Sequence, residues 1–169
     1  MINWTMISAL IAMFTAIIAI LALYFEQRRS RLITSVELFW RSEEKFRHDK
    51  NMLDKRKKSS SGLLEGIIVP ELDDILDYFE LIGFLVRKGI FDPEMAWNSF
   101  HNRAVGYWFA SENYISKIRS EDPTIWEDYE YLINRLNRLD AQKTRRSISF
   151  AKPSTEWLKN FLDEESRQY

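Results

Sequence analysis

An uninterrupted apolar run near the N-terminus constrains this chain more than any other feature. The run extends from Met6 to Phe25, contains no charged residue, and has Ser8 and Thr15 as its small polar side chains. A bilayer's hydrocarbon core is about 30 Å thick, and about 20 apolar helical residues span it. The sequence therefore predicts a transmembrane helix, and residues 1–27 are assigned to a membrane anchor.

Two other interpretations of the run fit its sequence less well. A cleaved signal peptide has a basic n-region, a shorter apolar stretch and small residues at the cleavage site, whereas Leu23, Tyr24 and Phe25 end this run. A buried core helix of this length with so few polar residues is unusual.

Basic residues follow the run directly and predict its orientation. Arg28, Arg29 and Arg31 come after Phe25, while no Lys or Arg precedes the run. By the positive-inside rule, the N-terminus lies outside and the C-terminal domain lies in the cytoplasm. The predicted localisation is a bacterial inner (plasma) membrane, crossed once.

Residues 28–62 are predicted to form a juxtamembrane amphipathic helix and a basic linker. Between residues 26 and 58, eleven Lys and Arg stand against six Asp and Glu. The basic cluster at 55–58 is typical of a solvated linker or of a surface that contacts anionic lipid headgroups. The predicted membrane-surface basic residues are Arg28, Arg29, Arg31, Lys55, Arg56, Lys57 and Lys58. The sequence leaves open whether the helix packs on the distal domain, pairs with a second copy or lies on the membrane.

Proline and glycine divide residues 63–169 into helical segments. Pro70 stands where a first helical turn would begin, and Gly89 is a typical C-terminal cap. Asp92-Pro93 and Asp122-Pro123 both have the pattern of an N-cap followed by a first turn. The predicted helices are about 70–88, 93–119 and 123–140, with a final short helix from near Pro153 to about Arg167.

These segments predict the fold class. Apolar residues recur every three or four positions in each of them, which favours amphipathic helices that share a core. Because short loops join the helices, neighbours are expected to be antiparallel. The predicted fold is all-α, with an N-terminal transmembrane helix followed by a small antiparallel helical bundle in the cytoplasm.

Composition excludes several classes of function. After residue 58, thirteen Lys and Arg stand against nineteen Asp and Glu, so the distal domain would repel the phosphates of a nucleic acid. The chain has no cysteine, which excludes disulfides, thiolate metal sites and cysteine nucleophiles.

The central part of the chain resembles an uncharacterised bacterial family. Its members are short proteins with one N-terminal membrane span and a small helical domain of unknown function. The resemblance covers roughly residues 70–140 and implies a helical fold but no activity. The positions that carry it are Phe79-Glu80, Ile82-Gly83, Arg87, Gly89, Asp92, Tyr107-Trp108 and Arg119.

Glu80 is the residue with the strongest indication of unusual chemistry. It lies among apolar neighbours on a helix, and an unpaired buried carboxylate is expensive, so we expect it to be paired or protonated. Arg103 and Arg119 are the candidate partners in a structural ion pair. The alternative is a general acid, although no nucleophile or second catalytic group has a suitable spacing.

No metal, cofactor or catalytic site is predicted. Asp73, Asp77 and Glu80 form an acidic edge at i, i+4 and i+7, read as a solvated face or as a partner for a basic surface. Carboxylate metal sites in bundles need Glu-x-x-His on two helices, and His48 and His101 do not provide it. Walker, GxGxxG, GxSxG and HExxH patterns are also absent, so no small-molecule substrate is identified.

Three functional hypotheses follow. The leading one is a membrane-anchored cytoplasmic helical interaction or scaffold protein without catalytic activity, which binds the lipid bilayer and either a protein partner or itself. The second is a membrane-localised regulatory or stress and antiphage-defence effector. The third is an enzyme that uses Glu80.

Overall fold

The computed structural model describes residues 4–144 and 152–167; within them, the side chains of 4–12, 16 and 28–32 are not described. In this part of the chain every regular element is a helix. The helices are α1 (Trp4–His48), α2 (Lys50–Glu65), α3 (Glu71–Arg87), α4 (Pro93–Ala110), α5 (Glu112–Arg119), α6 (Glu127–Thr144) and α7 (Thr155–Arg167).

The chain divides into two compact units, and the boundary lies inside α1. The first unit is Met1–Trp40, and the second is Arg41–Tyr169. In the first unit, the large apolar side chains described between Met13 and Phe25 are exposed. The second unit contains the end of α1 and all the other helices, so the all-helical part of the predicted fold is confirmed.

The predicted transmembrane helix is not found. Among the residues that the structure describes, no helix is both long and apolar enough to cross a membrane. The apolar side chains described in α1 extend from Met13 to Phe25, which covers about 20 Å rather than the ~30 Å of a bilayer core, and Glu26 follows. Residues 6–12 of the predicted run lie outside the described side chains. The expected single-pass inner-membrane protein, with its N-terminus outside and its helical domain in the cytoplasm, is therefore wrong.

The α2 helix begins and ends differently from the sequence expectation. It starts after Asp49, whose carboxylate accepts from the Met52 amide at 2.8 Å and caps the helix. It then continues through the basic cluster and the following serines, past residue 62 where the predicted segment ended, as far as Gly66, whose φ of 73° closes the helix. The serines remain helical because Ser59 and Ser60 are buried and the Ser60 hydroxyl donates to the carbonyl of Arg56 at 2.7 Å.

The α3 helix is central in the second unit. It packs against α2, α4 and α6. Its apolar positions recur every three or four residues, and the predicted core stripe is confirmed by the burial of Leu72, Ile75, Leu76, Phe79, Ile82, Gly83 and Val86. Leu81 and Phe84 lie outside this stripe and stay exposed.

Aromatic rings fill the centre of the second unit. The centroid of the Phe79 ring lies 5.2 Å from those of Phe46 and Tyr129. The Tyr129 hydroxyl donates to the carbonyl of Ala104 at 2.6 Å, which satisfies a phenol whose pKa is raised by burial. Such ring pairs contribute about 0.5–1.5 kcal/mol each beyond the burial of their surface. They connect the end of α1 with α3, α4 and α6.

Two predicted helices have different bounds in the structure. The segment 93–119 is divided at Ser111, whose hydroxyl donates to the carbonyl of Tyr107 at 2.5 Å and bends the chain between α4 and α5. The next helix begins at Glu127 because Trp126 has a positive φ of 55°, which a right-handed helix cannot contain. Pro123 marked the neighbourhood of the start of α6 but not its first residue, whereas Pro93 is the first residue of α4.

Gly83 allows α6 to approach α3 closely. A Cβ atom at this position would lie 2.0 Å from the carbonyl oxygen of Asp128, which is backbone at the start of α6. Because a backbone atom cannot move aside as a side chain can, any larger residue would push the two helices apart.

We predict that Gly83→Ala destabilises the bundle by about 3 kcal/mol, because the added methyl overpacks a backbone contact. Gly89→Ala is the matched control: its Cβ would meet nothing within 4 Å, and it only places alanine at a φ of 66°, at a cost of about 1 kcal/mol. Equilibrium denaturation measures both. A Gly83→Ala protein no less stable than Gly89→Ala would refute the close approach.

Candidate functional site

A fully buried arginine lies at the centre of an extensive polar cluster in the second unit. Arg56 on α2 is 1% exposed. Its Nε and Nη2 atoms donate to the two carboxylate oxygens of Glu165 on α7, each at 2.7 Å. Its Nη1 atom donates to the carbonyl of Phe46 at 2.9 Å, and its guanidinium lies 4.6 Å from the centroid of the Phe46 ring. This bidentate pair joins α2 to α7 and to the end of α1.

Two buried hydroxyls complete the coordination of this pair. Tyr107 on α4 donates to Glu165 Oε2 at 3.1 Å, and Ser60 Oγ lies 3.0 Å from the same tyrosine oxygen. Burial raises the pKa of Tyr107, and the negative charge of Glu165 raises it further. Tyr107 therefore stays protonated and acts as a hydrogen-bond donor, so the Glu165 carboxylate is satisfied on both oxygens.

A second arginine shares the same carboxylate. Arg103 on α4 donates from Nε to Glu165 Oε1 at 3.3 Å. Desolvation lowers the pKa of Arg103, Glu165 opposes this, and the nearby guanidiniums of Arg56 and Arg47 lower it further. Arg56 and Arg103 therefore share the Glu165 carboxylate, and Arg47 lies near enough to Arg103 to act on its pKa.

An open cleft of about 600 Å³ borders the cluster within the second unit. It combines guanidiniums, amides, an imidazole and carboxylates with two aromatic rings. Its lining residues include Arg47, Trp97, Asn98, Asn102, Arg103 and Glu164. His101 also lines it, with Nε2 at 3.4 Å from Asn137 Oδ1 and Nδ1 at 4.0 Å from Asp140 Oδ1.

Glu80 is not placed beside either of its predicted arginine partners. Its two oxygens accept from the backbone amides of Asp128 at 3.2 Å and Tyr129 at 2.6 Å, so it caps the first turn of α6. Desolvation raises the pKa of Glu80, although the two amide hydrogen bonds oppose the shift. The carboxylate is thus used for docking α6 onto α3.

The two arginines predicted as partners of Glu80 are placed elsewhere. Arg103 binds Glu165, while Arg119 forms an ion pair with Glu130 at 2.7 Å and donates to the carbonyl of Pro123. Sequence spacing could not separate these possibilities, because Arg103 and Arg119 lie on helices that the structure divides at Ser111.

The acidic edge of α3 is a line of hydrogen-bond acceptors on a partly solvated face, where Asp77 is exposed. Asp73 accepts from the Tyr114 hydroxyl at 2.8 Å, and Asp77 accepts from Trp126 Nε1 at 2.9 Å. Burial and the bond to Asp73 raise the pKa of Tyr114 to about 12. The described residues contain no group of histidine and carboxylate side chains arranged to hold a metal ion.

Arg87 adds to the contact between α3 and the start of α6. It pairs with Asp128 at 2.5 Å and with Glu127 at 3.3 Å, both at the start of α6. Glu80, Gly83 and Arg87 therefore act together on one helix terminus.

Three of the seven basic residues expected at a membrane surface pair with acidic residues of the second unit. Arg56 is buried against Glu165, Lys55 pairs with Asp74 at 2.9 Å, and Lys58 pairs with Asp54 and Glu71 at 2.9 and 3.2 Å. Lys57 is exposed. Arg28, Arg29 and Arg31 lie outside the described side chains.

Sequence reasoning missed Glu165 and its partners. A signal was present, because Phe161, Leu162 and Glu165 share one face of α7 and all three are buried. A carboxylate in an apolar stripe indicates a buried cation opposite it. The run of four basic residues concealed that cation, since Arg56 was treated with its neighbours as one solvated cluster.

Comparison with known proteins identifies a family whose function is unknown. A family of domains of unknown function, DUF4760, matches residues 9–136. No curated protein and no solved structure matches the chain.

We predict that Glu165→Gln destabilises the protein by about 3–5 kcal/mol, because it leaves Arg56 buried without a compensating charge. Glu164→Gln is the matched control, since that neighbouring side chain is exposed and should change stability by less than about 0.5 kcal/mol. Urea denaturation measures both. Equal stability of the two variants would contradict the assigned role of Glu165.

We predict a pH dependence that Glu80→Gln removes. Because burial raises the pKa of Glu80 above 4.5, its contribution to stability is complete below that value and is lost as the pH rises through the raised pKa. Unfolding free energies from about pH 4 to about pH 7 should therefore fall more steeply for the native protein than for Glu80→Gln. Parallel curves would show that the Glu80 pKa is the same in the folded and unfolded chains.

Proposed function

Since the chain belongs to the DUF4760 family of domains of unknown function, we propose that it is a helical protein-interaction scaffold without catalytic activity, and that it associates with itself through α1. The observation that carries this proposal is the exposed apolar segment of α1.

The exposed segment is larger than scattered apolar residues on a protein surface. Between Met13 and Phe25, nine large apolar side chains are exposed, at values from 47% for Ile17 to 67% for Phe14. Contiguous apolar patches beyond a few hundred Å² mark interaction sites. Nine such side chains within thirteen residues form a contiguous apolar surface of this kind.

A second copy of the same helix suits this surface. The segment carries no charge, so it offers no electrostatic feature that would select a different, charged partner. Phe14, Ile18, Leu21 and Phe25 are spaced by four, three and four residues, which is the spacing by which two helices interlock their side chains. An isolated helix is also stabilised chiefly by packing of its apolar face.

The second unit supports a scaffold and not an enzyme. Glu80, the one candidate acid, is held by the amides of Asp128 and Tyr129. Its hydrogen bonds fix the position of α6, which is a structural role. The buried pair of Arg56 and Glu165 likewise holds α7 in one position.

We predict that Leu21→Asp shifts the protein toward monomer, because a carboxylate in an apolar helix contact is desolvated without a partner. Leu81→Asp on α3 is a closely matched control: Leu81 is 51% exposed and Leu21 is 50% exposed. Light scattering coupled to gel filtration, at several protein concentrations, measures the mass.

The native protein and Leu81→Asp should share one oligomeric mass, and Leu21→Asp should fall below it. A native protein that is monomeric at every concentration would overturn the proposal. So would an equal loss of mass in both variants, since that would place the contact outside α1.

A further inference from the structure

The interlocking side chains of α1 form a seam whose two ends differ in charge. The seam consists of four exposed residues: Phe14, Ile18, Leu21 and Phe25. Continued by the same spacing, the seam reaches Arg28, and Arg29 and Arg31 take the positions on either side of it. The α1 helix is unbroken through all these positions. The seam is therefore apolar along its first part and basic at its C-terminal end.

A second copy of α1 could cover the same apolar residues in two orientations. In a parallel pair each seam residue faces the same residue of the second copy, and in an antiparallel pair the order is reversed. The segment from Phe14 to Phe25 is covered in both cases, so the hydrophobic contribution does not distinguish them. The charges beyond Phe25 therefore decide the orientation.

A parallel pair would bring the two basic ends together. Arg28 would face Arg28 of the second copy, and six arginines would lie at one level of the pair. Glu26 contributes one carboxylate from each copy, so the arginines would outnumber these carboxylates three to one. Because like charges at facing positions repel, the sequence opposes this orientation.

An antiparallel pair moves the basic ends apart. When the two seams are aligned over their full length, Phe14 faces Phe25 and Ile18 faces Leu21 of the second copy. The two Arg28 residues then lie about 25 Å apart along the axis, at ~1.5 Å per residue. This separation is roughly three times the ~8 Å screening length at physiological ionic strength, so little repulsion remains. An arginine at the end of a seam covers apolar surface with its aliphatic stem and keeps its charge in water.

We infer that two copies of α1 pair in antiparallel orientation, with Phe14 of each chain against Phe25 of the other. The inference rests on the self-association proposed above and specifies its geometry. The two chains then continue toward their second units in opposite directions, so the pair carries one second unit at each end. Such a scaffold holds its two bundles apart instead of side by side.

Disulfide formation between single-cysteine variants tests the orientation in the full-length protein, because the native chain has no cysteine. Phe14→Cys and Phe25→Cys are prepared, one of them with an affinity tag, and are oxidised separately and as an equilibrated mixture. Antiparallel pairing separates like positions by about 16 Å along the axis, and Cα atoms more than about 7 Å apart cannot be bridged. We therefore expect the disulfide between the two variants to exceed that within either variant by about tenfold or more.

Ile20→Cys is the control for random collision. Ile20 is 65% exposed, close to the 62% of Phe25, but it lies off the seam. Its two copies come to nearly the same level in an antiparallel pair, so they should form no disulfide only because they face away from each other. Light scattering of the reduced variants shows beforehand whether each keeps the native oligomeric mass.

A spin label on Ile33→Cys measures the orientation without altering the seam. Ile33 is 58% exposed and lies off the seam. Antiparallel pairing places the two labels about 40 Å apart along the axis, whereas parallel pairing places them at one level. This distance decides the orientation if the cysteines on the seam lower the oligomeric mass.

The possible outcomes separate this inference from the proposal on which it rests. Disulfides within Phe14→Cys alone and within Phe25→Cys alone, or a label separation below about 30 Å, would overturn the antiparallel orientation and leave self-association intact. A disulfide within Ile20→Cys as abundant as that of the mixture would also overturn the orientation. A native protein that is monomeric at every concentration would overturn both.

Discussion

The bidentate pair between Arg56 and Glu165 is the interaction on which the arrangement of the second unit depends. It fixes α7 against α2, and it brings in α4 through Tyr107 and the end of α1 through the carbonyl of Phe46. Ion pairs contribute little to stability where water surrounds them, but this one is buried, and separating its members would leave a charge in an apolar interior. The pair therefore specifies which helices are neighbours more than it adds to the free energy of folding.

A different mechanism positions α6. Here one helix offers its unsatisfied terminal amides, and the other offers a carboxylate, a glycine and an arginine at Glu80, Gly83 and Arg87. Gly83 removes the steric obstacle, Glu80 satisfies the amides, and Arg87 pairs with the acidic residues of the first turn. The spacing of Glu80, Gly83 and Arg87 in the sequence thus encodes a docking site for the start of α6.

The sequence predicted the local elements of the second unit better than their contacts. Pro93 and Gly89 marked real helix limits, and the stripe from Leu72 to Val86 marked the core, because these features depend on nearby backbone geometry and periodicity. The partner of Glu80 was not predictable, since a backbone amide leaves no trace in residue identities. Arg56 was misread because its burial depends on Glu165, 109 residues away. The predicted membrane span was wrong. The apolar run read from the sequence is longer than the apolar segment in the described part of α1.

The position of Glu165 also bears on where the folding unit ends. The family match stops at residue 136, within α6, whereas α7 and its carboxylate lie beyond it. A fragment cut at that limit would keep Arg56 and Arg103 and lose the group that neutralises them. It would also open the surface around Gly106, where the Phe161 ring now packs within 2.6 Å of the space that a Cβ would fill. The segment defined by sequence similarity is thus shorter than the folding unit. A fragment designed for expression should therefore include α7, which carries the partner of the buried Arg56.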